Sequence, residues 1–363
     1  MNRIIILFSL LVMSQTIGFS QEYQPVIDPS MNEIEDHYLN RQAEAFLNEI
    51  STTIRAIPPQ YPLPRERELS LFLLDALLHD KYAAHRPAVQ RFYKTQIIAA
   101  LDEMQNLSVT EGAKIWKLYN MGFVVRTKSV TIAFDLTSGE SSDSEGFKLS
   151  NDIMAQIIKH CDALFISHRH RDHKDLWIAE QFIAQDKPVV TPPQVWENEP
   201  IHEKITHLKR EAHTLQKLPI KNKTIELDVV VYPGHQMSRH ENNVTLIFSP
   251  EGISYAHMGD QINEGNFMVD YEWIDHVKEH FKVDILLPPS WTNEILRIVQ
   301  GFNPGLVIPG HENELGHTLD DRVPFWGDSE YLELTYAELK ASNYPVVLMT
   351  WGESYHYTPK RSR

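Results

Sequence analysis

Apolar side chains recur three and four residues apart through residues 34–54 and 66–104, with Leu71, Leu74, Leu77 and Leu78 forming one such stripe. That spacing predicts helices, separated where Pro58-Pro59 and Pro62-Leu-Pro64 interrupt the pattern. From Lys114 the texture changes to short β-branched and aromatic runs. Phe123 to Arg126 and Val130 to Phe134 flank Thr127-Lys-Ser129, which predicts a hairpin. Residues 137–145 are dense in Ser, Gly and acidic side chains and read as a loop. Further apolar runs begin at Ala163, Val229, Ile253, Gly305 and Pro345, the last predicting a final strand through Thr350. Helical spacing returns between them, as in Leu176, Trp177, Phe182 and Ile183. The pattern as a whole predicts an all-helical extension over residues 21–112 and an α/β domain over residues 113–363.

What stands at the ends of these runs is chemical. Ala163-Leu-Phe-Ile166 is followed by Ser-His-Arg-His-Arg-Asp-His-Lys-Asp, which places His168, His170, Asp172 and His173 within six residues. Residues two apart on an extended strand point the same way, so His168 and His170 converge on one point. Asp172 and His173 lie in the turn beyond, where they can serve a second point. Imidazole and carboxylate together suit Zn²⁺ and its neighbours in the transition series. Three later runs also end in donors: Val229-Val-Val-Tyr-Pro-Gly-His235, Ile253-Ser-Tyr-Ala-His-Met-Gly-Asp260 and Gly305-Leu-Val-Ile-Pro-Gly-His311. His240 lies five residues past His235 and competes with it, and placement at a strand end favours His235. His257, inside its run, reads as a hydrogen-bonded packing residue. His317, six residues past His311, either reaches the substrate or lies on the surface.

Together these segments resemble the metallo-β-lactamase superfamily, with its His-x-His-x-Asp-His signature followed by His, Gly-Asp and His in that order. Val130-Thr-Ile-Ala-Phe-Asp135 resembles the family's first motif, whose aspartate braces the metal loop without binding metal. The resemblance covers residues 113–320 and implies a four-layer αβ/βα sandwich. It further implies two divalent ions, with Zn the leading candidate and Mn or Fe also compatible. His168, His170 and His235 would hold the first ion, Asp172, His173 and His311 the second, and Asp260 would bridge them. The implied activity is hydrolysis of an ester, lactone or phosphodiester by a metal-held hydroxide, with Asp172 passing a proton to the leaving group. Within the superfamily, the sequence looks most like the branch containing L-ascorbate-6-phosphate lactonase and N-acyl-phosphatidylethanolamine phospholipase D. The alternatives are a redox enzyme or a metal-stabilised binding protein on the same fold.

Charge and cysteine content narrow the field. A formal charge of −15, with no concentrated basic surface, argues against a nucleic-acid partner and favours a small-molecule or lipid-like substrate. Cys161 is the only cysteine, so no disulfide framework exists and it reads as a small buried apolar residue. Asn2-Arg3, the apolar run to Met13 and Gly18-Phe-Ser20 read as a signal peptide over residues 1–20, implying a secreted or periplasmic protein without a stable membrane anchor. Tyr119, Asn120, Trp291 and Glu312 are candidates for the substrate walls. Tyr61, Leu63, Phe72, Tyr82, Phe92 and Tyr93 of the extension would either roof the cleft or fill its interface with the core.

Overall fold

A computed structural model describes residues 29–80, 82–139, 147–236, 240–262, 265–292, 294–312, 315 and 335–359. The expected signal peptide, most of the acidic loop and His317 lie outside these residues. The chain divides into two compact units, Met1–Leu39 and Asn40–Arg363, and the account below concerns the second.

Helices come first, as the spacing predicts: α1 (Pro29–Ala56), α2 (Arg65–Leu78) and α3 (Pro87–Asn106). Proline sits at the start of α3, where its missing N–H is harmless and its fixed φ suits a helix. Strands β1 (Ala113–Lys117), β2 (Phe123–Arg126) and β3 (Thr131–Phe134) follow, then α4 (Asn151–Lys159), β4 (Ala163–Phe165), α5 (Leu176–Ala184) and β5 (Val189–Val190). The second half holds β6 (Gln216–Ile220), β7 (Ile225–Gln236), β8 (His240–Phe248) and β9 (Ser254–His257). After these come α6 (Tyr271–Ile274), α7 (Val277–His280), β10 (Ile285–Leu287), α8 (Ile295–Phe302), β11 (Leu306–Val307), α9 (Thr335–Ala341) and β12 (Ser354–Tyr357).

The strands form two six-stranded sheets, ordered β12-β1-β2-β3-β4-β5 and β11-β10-β9-β8-β7-β6. Each is antiparallel at one end and parallel at the other, through β3-β4-β5 and β9-β10-β11 respectively. Alternation along each strand decides the layers. On β7, Leu227, Val229 and Val231 join Phe134, Phe165 and Ile132 of the first sheet in one buried cluster between the sheets. Their neighbours Val230 and Tyr232 instead pack with Trp273, Ile298 and Phe302, under the helices that cover the second sheet. Helix α1 from Asn40 onward and helices α2 to α5 cover the outer face of the first sheet, so the layers read αβ/βα as the resemblance implies.

From Asn40 onward the helices of the extension belong to the same compact unit as the sheets. Phe92 and Tyr93 are buried there beside Tyr119, Phe147 and Trp351, whereas Tyr61, Phe72 and Tyr82 are exposed. Residues 345–350 form no strand; apart from a single bridge between Val346 and Val307 they run as an irregular buried segment. The physical reason lies in their carbonyls, because Leu348 O accepts from Arg67 and Met349 O from Lys117. The edge strand is β12, which pairs with β1. Cys161 is fully buried, with Sγ directed at Ile157 O.

Candidate metal centre

Parallel sheets leave open loops at the carboxyl ends of their strands, and such loops gather ligands. Here β3 leads into Asp135, β4 into His168–His173, β9 into Asp260 and β11 into His311. Asp175 caps α5 by accepting from Ile178 N, which ends the His-rich loop where the helical spacing begins.

Two groups of donors result. Asp172, His173, Asp260 and His311 place one ligand atom each within 4.8 Å of one another, and so do His168, His170 and Asp260. Asp260 belongs to both. His173 Nε2 stands 2.9 Å from Asp172 Oδ2, 3.2 Å from Asp260 Oδ2 and 3.3 Å from His311 Nε2. His311 Nε2 in turn lies 3.2 Å from Asp260 Oδ1. On the other side, His168 Nε2 lies 3.6 Å from Asp260 Oδ2 and is buried with no hydrogen-bond partner.

Charge follows this geometry. Burial and the neighbouring His173 hold His168 well below the usual imidazole range, so it presents a lone pair. Burial acts the same way on His173, but Asp172, Asp260 and Asp135 outweigh it and hold that imidazole well above its usual range. Burial opposes ionisation of Asp260, yet His173, His311 and His168 hold its carboxyl well below the ordinary range. Converging imidazole nitrogens around a shared buried carboxylate, with one nitrogen orphaned, fit a bound cation.

The supports are hydrogen bonds within the protein. Asp135 Oδ1 accepts from Ser167 N at 2.7 Å, and its Oδ2 accepts from Ser167 Oγ at 2.6 Å and faces His173 Nδ1 at 2.7 Å. It braces the loop from behind, leaving His173 Nε2 for the site. Asn242 Oδ1 accepts from Asp260 N at 3.2 Å, and Gln236 Nε2 donates to Asp260 Oδ2 at 2.7 Å. Gly259 carries φ +54°, and an added Cβ there would meet Ser167 Cβ at 2.3 Å, so this glycine lets β9's loop approach the His loop. Asn120, Asp135 and His311 also take left-handed φ, at +50°, +41° and +72°. Each such residue costs about 1–3 kcal/mol and persists only where its surroundings hold it.

Six of the seven ligands read from the sequence are thus brought together, and His235 is not among them. Strand β7 runs one residue past it to Gln236, and the β7–β8 register pairs Gln236 with His240 and His235 with Glu241. Residues paired across a ladder share a face, and a step of one residue reverses it. Gln236 and His240 therefore look toward the centre, where the His240 ring lies 4.6 Å from that of His170. His235 instead places Nδ1 3.1 Å from both carboxylate oxygens of Asp270. His257 is a packing residue, stacked on Phe134 with Nε2 2.9 Å from Met121 O.

Among the wall candidates, Trp291 meets the His311 ring edge-on at 5.6 Å and Asn120 Nδ2 donates to Asp172. Tyr119 is buried in the aromatic cluster, and Glu312, partly buried, pairs with Lys117. Sequence reasoning passed over Gln236 and Asn242, neutral residues whose roles appear only once the hairpin is folded. The Asn242-Asn243 pair inside a strand was the available signal, since asparagine is depleted there.

No family model and no curated protein matches the sequence. Solved structures do resemble it. A metallo hydrolase from the archaeon Ignicoccus hospitalis aligns at TM-score 0.47 and 17% identity, covering 68% of this chain and 99% of that one. An isothiocyanate hydrolase from Delia radicum gut bacteria aligns at TM-score 0.45 and 13% identity, covering 68% and 100%. The diiron β-hydroxylase CmlA from Streptomyces venezuelae aligns at TM-score 0.42 and 13% identity, covering 69% and 55%.

Proposed function

We propose that this chain is a dinuclear metal-dependent hydrolase acting on an ester, lactone or phosphodiester. The observation that carries the reading is the pair of donor groups meeting at Asp260. His168, His170 and His240 would hold the first ion, and Asp172, His173 and His311 the second, with Asp260 between. Zn²⁺ suits these donors, as do Mn²⁺ and Fe²⁺. Such ions supply Lewis acidity toward a substrate oxygen and bring the pKa of water down to about 7.

The protein's own part is to fix geometry and handle protons. Asp135 and Ser167 hold the His loop, while Asn242 and Gln236 orient Asp260 so that its carboxylate is shared. The Asp172 side chain is 16% exposed against 2% for Asp260. This greater exposure supports Asp172 as the carboxylate that would pass a proton to the leaving oxygen. A small or lipid-like substrate suits the acidic chain, and the basic-then-apolar start of the sequence supports export.

The test is a panel of chromogenic esters, lactones and phosphodiesters with wild type, His170→Ala and Asp260→Ala, alongside elemental analysis after reconstitution in excess Zn²⁺ and Mn²⁺. Two ions per wild-type chain, turnover of at least one class and loss of that turnover in both folded variants are expected. At most one ion, or wild-type rates in either variant, would overturn the reading.

A further inference from the structure

The turn between β1 and β2 does more than reverse the chain. Leu118 N donates to Gly122 O and Gly122 N to Tyr119 O, both at 2.7 Å, which brings Asn120 to the apex at φ +50° and 1% exposure. Asparagine is among the few side chains that tolerate this left-handed backbone, and its short amide can still reach a neighbour. From the apex it makes two bonds to different segments. Its Nδ2 donates to Asp172 Oδ2 at 3.2 Å, and its carbonyl accepts from His311 N at 3.2 Å. Asp172 follows the exposed Arg171 in an irregular loop, and His311 sits at φ +72°, so neither is fixed by regular secondary structure.

The turn is itself held on several sides. Tyr119 packs against Tyr93 of α3, Phe147 and Trp351, and its hydroxyl accepts from Leu315 N at 3.1 Å. Met121 O faces His257 Nε2 at 2.9 Å. Gly310 passes so near that an added Cβ would meet Met121 Sδ at 2.6 Å and Asn120 O at 3.2 Å. Just beyond His311, Glu312 pairs with Lys117 of β1, whose Nζ also reaches Met349 O and Pro309 O. A rigid apex of this kind is suited to transmitting position from the helical layer to the ligands.

We propose that Asn120 is a positioning residue for the second ion, setting the Asp172 carboxylate through its side chain and His311 through its carbonyl. This rests on the two-ion reading above. One partner that orients two ligands of the same ion should affect that ion and leave the other alone, because the two bonds from Asn120 go to Asp172 and His311 and not to His168, His170 or His240. Outer partners of metal ligands typically change metal affinity about 10–100-fold when removed.

Zn²⁺ titration of the metal-free full-length chain against a chromophoric chelator tests this. Asn120→Gly keeps the left-handed backbone and its carbonyl while deleting the amide, so the side chain's share is isolated. The expected result is a loss of about 10–100-fold in affinity for one ion, with the other unchanged. In a His170→Ala background the same substitution should weaken the remaining ion, and in a His311→Ala background it should add nothing. Asn120→Asp, which keeps the size but turns an acceptor toward Asp172, should weaken the same ion and serves if the glycine variant does not fold. Unchanged affinities in a wild type that holds two ions, or equal losses at both sites, would overturn the proposal alone. A wild type that holds at most one ion would overturn the two-ion reading and this proposal with it.

Discussion

Neutralising one buried carboxylate should cost this protein more stability than removing most core methyl groups. Glu353 lies beyond the irregular segment 345–350, and its two oxygens receive Arg67 of α2 at 2.8 and 2.5 Å. The Arg67 side chain is 0% exposed and that of Glu353 7%. The guanidinium also donates to Ile57 O and Leu348 O at 2.9 Å, and Glu353 Oε2 accepts from Thr350 N at 2.8 Å. Two unit charges about 3 Å apart attract by roughly 6 kcal/mol at an effective dielectric of 20. Desolvation offsets much of that, but removing one partner leaves the other buried and uncompensated, a loss of about 3–5 kcal/mol. Glu353→Gln preserves shape and removes the charge. With about 2 °C per kcal/mol for a chain of this size, Tm should fall by about 6–10 °C. Urea melts should show the same loss with an unchanged m-value. Arg67→Met should cost a similar amount, and the double variant Arg67→Met/Glu353→Leu less than the two singles together, because no unpaired charge remains. A Glu353→Gln chain within about 1 kcal/mol of wild type, or strictly additive singles, would refute this account.

Asp75 of α2 supplies a pH test: burial first, and then the Glu312 charge, push its carboxyl from 3.8 up to about 8. His79 Nδ1 lies 3.4 Å away but is engaged at 2.8 Å by Asp75's own carbonyl, so it does not compensate. The folded state therefore keeps a proton that the unfolded chain has lost, and stability should fall as pH rises from about 4 to about 8, then level off. Asp75→Asn should remove that component of the slope and melt higher than wild type at pH 8.5; an identical slope in the variant would count against it. For the hairpin, His240→Ala should weaken first-ion affinity by at least tenfold while His235→Ala changes it little, as read by Zn²⁺ titration; the reverse order would restore His235 as the ligand. Gly259→Ala should lose both turnover and stability, since its Cβ meets Ser167 Cβ at 2.3 Å and Asn242 Oδ1 at 2.4 Å; full activity in that variant would contradict the packing described. Chelation should lower Tm by about 10 °C without abolishing cooperative unfolding, because two ions at 100 times Kd contribute about 2.7 kcal/mol each. Collapse of the near-ultraviolet signal on chelation would show that the ions hold the fold.

The His-rich loop was legible because its information is local. His168, His170, Asp172 and His173 follow one strand without interruption, so spacing and strand geometry together announce their convergence. The β7–β8 hairpin was not legible to one residue, and one residue is all that separates His235 from the opposite face. Where a strand ends is set by its partner's register, and the pairing of Gln236 with His240 cannot be read from an apolar run that stops at Tyr232. Residues 345–350 misled for a different reason. Their composition is that of a strand, yet Arg67 and Lys117, some 280 and 230 positions away in sequence, take the carbonyls a ladder would need. Asn120 was visible as a residue near the site, but its use depends on its φ and on where Asp172 and His311 arrive, and both are long-range facts.

Those long-range facts converge on the helical extension. A cap whose role was only to cover the first sheet would need an apolar face and nothing more. This one also commits polar groups to the interior: Arg67 holds segment 348–353, and Asp75 is buried beside Glu312, where burial first and then that charge raise its pKa to about 8. Tyr93 of α3 packs against the ring of Tyr119, one residue before Asn120. Buried charges are poor sources of net stability compared with apolar residues of the same volume, so stability alone is a weak reason to place them here. Position is a stronger one. Arg67 reaches Glu353, Leu348 O and Ile57 O, Asp75 lies beside Glu312 next to His311, and Tyr93 packs on Tyr119 next to Asn120. The extension thus bears on Asp172 and His311 through chain segments it fixes, while Asp135, Ser167 and the β7–β8 hairpin brace His168, His173 and the shared Asp260. A support that engages Asp172 and His311, as Asn120 does, can be altered while the His168 and His170 rings keep theirs, which is the condition under which two ions with different affinities are expected at one shared carboxylate.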